Sequence, residues 1–63
     1  MVLDTSISVL VVDDSRTIVH LICDLLRKIG FEEVDGVHGG TTALANMKLK
    51  RYGLVILIGI WSQ

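Results

Sequence analysis

The chain has 63 residues, with six Lys or Arg against seven Asp or Glu and a formal net charge of −1. It is 51% hydrophobic but only 21% charged and 5% aromatic, with a mean hydropathy of +0.61. That balance excludes a disordered segment, which combines low hydrophobicity with high charge, and gives no electrostatic pull toward nucleic acid or acidic lipid.

Residues 7–12 form a short, β-branched, nearly continuous apolar run. Such a run suits a strand covered on both faces, as in a parallel sheet. Asp13, Asp14 and Ser15 break it, and Asp14 or Ser15 is placed to cap a helix by accepting from its free first-turn N–H groups. Residues 15–29 read as that helix. Ile18, Ile22, Leu25 and Ile29 recur at three- and four-residue steps, flanked by Leu21 and Leu26, and predict the buried stripe. Arg27 and Lys28 lie in its last turn, where the helix dipole favours cations. Gly30 suits the position just past the helix, with Phe31 folding back on the last turn.

Residues 33–37 carry the weakest pattern. Val34 and Val37 support a second strand, and Gly36 weakens it. His38, Gly39 and Gly40 form a loop. Thr41 or Thr42 then caps a second helix running to about Lys50, with Ala43, Leu44 and Met47 facing inward. Lys48, Lys50 and Arg51 read as its solvated end. Residues 54–60 are a third strand, apolar on both faces. The order is β-α-β-α-β without repeats, a doubly wound α/β layout in one domain spanning 1–63. With the first strand central, the sheet order is 2-1-3 and the helices fall on opposite faces.

A domain this small buries only about 60% of the surface of its unfolded chain and needs support. Cys23 is the sole cysteine, so no internal disulfide exists, and Cys23 with His20 and His38 does not form a zinc constellation. Association is the expected support, since so apolar a chain is expected to place some surface against a partner. Residues 1–8 lack the basic and apolar regions of a signal peptide. The apolar run 54–61 is too short to span a bilayer. A cytoplasmic protein without a membrane partner is expected.

The layout resembles the receiver domain of bacterial two-component response regulators. The resemblance rests on V-L-V-V-D-D-S at residues 9–15, L-L-R-K-I-G-F at 25–31, His38-Gly39-Gly40, Ala43-Leu44 and Y-G-L-V-I at 52–56. It implies a flavodoxin-like (CheY-like) fold in which Asp13 and Asp14 match the acidic pair that helps hold Mg²⁺. It also implies a phosphoaccepting aspartate at the end of the third strand. The ungapped match puts that position at Ile58, with Gly59 one step away, and no Asp or Glu follows Asp35. The family's hydroxyl residue on strand four and lysine on strand five have no counterpart in these 63 residues, so the resemblance is to a truncated receiver.

An acyl phosphate requires a carboxylate, and a hard cation wants several oxygens. Aspartyl phosphorylation by the family's mechanism is therefore excluded. Asp13 and Asp14 either hold Mg²⁺ weakly or serve structurally, Asp14 capping the first helix and Asp13 facing solvent. No other cofactor is expected.

Val19 and Cys23, four apart on the first helix, form a stripe displaced from the expected buried one. They suggest a second contact surface, the alternative being an exposed face without a partner. Cys23 is expected to be an apolar filler rather than a reactive thiol, and His20 a solvated helix residue. The unpaired outer edge of the third strand is a template for a second chain. Leu54, Val55, Ile56, Leu57, Ile58, Ile60 and Trp61 are therefore expected at an antiparallel homodimer interface. The implied function is a non-phosphorylatable, receiver-like interaction module that dimerises and binds sensor histidine kinases or other receivers. The rivals are a non-functional remnant or fragment, and a small metal-dependent phosphoryl-transfer enzyme.

Overall fold

A computed structural model describes residues 4–58. It is an α/β unit with five elements in chain order: β1 (Ser8–Val12), α1 (Arg16–Ile29), β2 (Glu33–Val37), α2 (Gly40–Leu49) and β3 (Leu54–Leu57). The three strands are parallel in the order β2-β1-β3. Val9 lies opposite both Val34 and Leu54, and Val12 opposite Val37 and Leu57. The expected 2-1-3 sheet is present.

The alternation of a strand divides the core in two. Val9 and Val11 point to one face, where Val19, Cys23, Phe31 and Val34 close over them. Leu10 and Val12 point to the other, against Val37 and Ala43. The two helices therefore cover opposite faces, and the three β1 valines and Leu10 are sealed between them. This is why β1 reads as an unbroken apolar run: a central parallel strand has no wet face.

Both ends of α1 follow local rules. Ser15 is extended and its Oγ accepts from the Ile18 N–H at 3.5 Å, so Ser15 rather than Asp14 is the cap. Gly30 takes φ 130, a value that glycine alone adopts cheaply. Its N–H reaches the Leu26 and Arg27 carbonyls, and the Phe31 N–H reaches Leu26. That closure turns Phe31 back into the core.

α2 is capped differently from the expectation. It begins after Gly39, with no side chain on its free amides, and neither threonine serves. Ala43 alone of its residues is buried, while Leu44 and Met47, expected inside, are exposed. A small residue is what lets this helix approach Leu10 and Val12.

The larger correction concerns α1. Val19 and Cys23 do not form an outward contact surface: they are only 4% and 6% exposed and press on the sheet. Ile22 and Leu26 pack partly against the same cluster, but Leu25 is 53% exposed, and Leu21 and Ile29 are exposed beside it. Gly36 gives the physical reason. A Cβ there would lie 2.4 Å from Val19 Cγ1 and 3.2 Å from Cys23 Sγ. The missing side chain on β2 admits the small residues of α1, so the helix turns that side to the sheet.

Candidate functional site

The carboxyl ends of β1 and β3 lie side by side. The Ile58 N–H donates to the Val12 carbonyl at 2.9 Å, which sets residue 58 next to Asp13 across the strand pair. Asp13 is only 4% exposed. Its Oδ1 accepts from the Ser15 N–H at 3.3 Å, and its own N–H donates to the Val37 carbonyl at 3.2 Å. The expectation that Asp13 faces solvent is thus overturned, because its carboxylate tucks under the turn into α1. Asp14 is exposed.

Chemically, this end of the sheet presents one committed carboxylate, one free carboxylate and the hydrocarbon of Ile58. A site for a hard divalent cation draws on several oxygens. Among the described residues no group of three His, Cys, Asp or Glu is placed to hold a metal ion. Ile58 is half-buried and has no nucleophilic atom.

The second candidate surface is the outer side of β3. The strand pairs with β1, and no other strand adjoins it among the described residues. Because Ile58 directs its N–H to β1, alternation sends the N–H and C=O groups of Val55 and Leu57 outward. Ile56 packs partly on the α1 side and Val55 on the α2 side. Leu54 remains 41% exposed and Leu57 46%. Ile60 and Trp61, also expected at an interface, lie outside the described residues.

A polar cluster that the sequence reading missed covers the α2 side of β2. The Tyr52 hydroxyl donates to Asp35 Oδ2 at 2.5 Å, and Lys50 Nζ lies 3.2 Å from the same oxygen and 2.7 Å from Glu33 Oε2. The ammonium also sits 5.3 Å from the Tyr52 ring centroid. The Tyr52 hydroxyl, with help from Lys50, holds the Asp35 carboxyl below its usual range. The bond to Lys50 does the same for Glu33, and Glu33 then Asp35 raise Lys50. Burial, followed by Asp35, raises Tyr52. The one available signal was the alternation of Glu33, Asp35 and Val37, which puts both acids on one face of β2. Their partners come from 15 to 17 residues away and carry no local mark.

Cys23 meets the expectation of an inert filler. Burial pushes its thiol up from the ordinary value, outweighing the nearby Arg27, so little nucleophilic thiolate forms near neutrality.

No protein-family model and no curated protein matches this chain. No helix among the described residues is long and apolar enough to cross a membrane.

Proposed function

We propose that this chain is a receiver-like interaction module of two-component signalling that cannot be phosphorylated and acts in the cytoplasm as a homodimer. The observation that carries the reading is the pairing of Ile58 with the end of β1. It sets a hydrocarbon beside the acidic pair, where the receiver mechanism uses a carboxylate. Neither aspartyl phosphate nor Mg²⁺ enters the proposed mechanism, and the module works by contact rather than catalysis.

Two surfaces support contact. The outward N–H and C=O groups of Val55 and Leu57 offer a strand edge, and two copies of β3 running antiparallel satisfy a two-fold axis. The sheet then reads 2-1-3-3′-1′-2′. The second surface is the exposed Leu21, Leu25 and Ile29 stripe of α1, four residues apart and so on one face. This stripe, not Val19 and Cys23, is the proposed docking face for a sensor histidine kinase or another receiver.

Sedimentation equilibrium tests the dimer: a monomer–dimer equilibrium is expected at micromolar protein, and a folded monomer throughout that range rejects it. Pull-down with a sensor histidine kinase tests docking. Binding is expected for the natural chain and loss for Leu25→Glu, whereas no binding by either would leave self-association as the whole function.

A further inference from the structure

The edge of the sheet opposite β3 carries a small cavity of about 200 Å³ between α1 and β2, lined by Val19, His20, Cys23, Arg27, Gly36 and His38. Its polar lining is nitrogen: two imidazoles and a guanidinium, with no carboxylate. His20 and Arg27 are two turns apart on one side of α1, and His38 follows β2 immediately. The nearest acid to Arg27 is Asp24, whose Oδ1 is 3.9 Å from Nη1 and is itself well exposed.

The floor adds a backbone donor. Arg27 Nη2 donates to the Val34 carbonyl at 3.1 Å on the outer side of β2, while the Val37 carbonyl accepts from Asp13 on the inner side. Alternation therefore turns the N–H of Gly36 away from β1, on a residue that lines the cavity. The guanidinium retains donors beyond the one spent on Val34.

We infer that this cavity binds a small oxyanion, received by the Arg27 guanidinium, the His20 and His38 imidazoles and the Gly36 N–H. A cation is disfavoured by the guanidinium. The space equals the liquid volume of roughly seven waters, below the roughly 300–1,000 Å³ typical of pockets for drug-sized ligands. It fits a single phosphate or carboxylate group. Each neutral imidazole still offers one N–H, so binding does not depend on both being charged. The site is independent of the proposed dimer, which uses the other edge of the sheet.

The test is an NMR titration of the full chain with inorganic phosphate and, separately, acetate, with chloride at matched ionic strength as control. Saturable shifts are expected at the Gly36 amide and the two imidazoles. Binding should weaken by about tenfold in His20→Leu, His38→Leu or Arg27→Gln, the first two removing an N–H donor to the anion and the third the guanidinium charge. The two histidines are exposed, so their variants remain folded even if Arg27→Gln loosens β2. Tighter binding of acetate than phosphate supports the site and assigns it to carboxylates. Shifts no larger than those from chloride, or equal affinity in the histidine variants, overturn the inference.

Discussion

Gly36 is the residue on which the α1 interface turns. A methyl group there meets Val19 Cγ1 at 2.4 Å, closer than atoms tolerate, and both sides of the contact belong to regular elements. Gly36→Ala should therefore destabilise the chain by about 1–3 kcal/mol, the usual cost of overpacking, read as a lower urea midpoint. Pairing it with Val19→Ala should recover part of the loss, since contacting residues couple. Strictly additive losses would place the strain elsewhere. The Asp35–Tyr52 bond gives a second residue-scale test. Asp35 is depressed in the folded state, so its contribution is present above the ordinary value of 3.8 and is lost as pH falls through the lower folded value. Tyr52 is raised, so its contribution is present below 10.0 and is lost as pH climbs through the higher folded value. Tyr52→Phe should lower neutral-pH stability by at most about 1 kcal/mol, because solvent screens the pair. It should also flatten both limbs of the Tm–pH profile, and an unchanged profile would remove the bond from the stability account.

At the level of the elements, α1 separates what local pattern can tell from what it cannot. Its limits follow from Ser15, Gly30 and Phe31, whose roles are set by backbone groups within four residues, and these are legible in the sequence. Its inward face is not. Apolar residues occupy so wide an arc that Ile18, Ile22, Leu25 and Ile29 form as good a stripe as Val19, Ile22, Cys23 and Leu26. The choice is made by Gly36 on another element. The same limit applies to α2, where packing close to β1 selects Ala43 over the larger Leu44 and Met47. β1 and β3 were legible because nearly continuous apolar runs suit strands covered on both faces, β2 only weakly through Val34 and Val37, and the 2-1-3 order follows from taking the first strand as central. The candidate site was legible at Asp13, Asp14 and Ile58 as positions. The burial of Asp13 was not, because it depends on how the turn after β1 folds back. The two faces of α1 make opposite predictions. Val19→Asp buries an unpaired charge and should unfold the chain outright, given the several kcal/mol such a charge costs. Leu25→Glu should leave thermal stability within about 0.5 kcal/mol, as surface changes do. Circular dichroism melts distinguish them, and equal losses would restore Leu25 to the core.

For the whole molecule, the two edges of the sheet differ. On β2 the outward Val34 carbonyl is already taken by Arg27, and Glu33, Asp35 and Lys50 charge the adjoining surface. These are features that discourage another strand. On β3, residues 54–58 are all aliphatic and set no charge at the edge. The proposed association is therefore directed to one edge, which favours a closed pair over an open stack of sheets. Leu57 offers a way to test this without disturbing the fold. Its N–H points away from β1, so Leu57→Pro removes a donor used only by a partner strand. Leu57→Lys keeps the donor but sets a charge at the edge. Both variants should sediment as folded monomers at the micromolar concentrations where the proposed dimer of the natural chain is expected. Lys serves as the check should proline disturb the strand itself. A dimer that survives both substitutions at unchanged affinity would move the interface away from β3, leaving the exposed Leu21, Leu25 and Ile29 face of α1 as the surface to examine, and Leu25→Glu would then dissociate it.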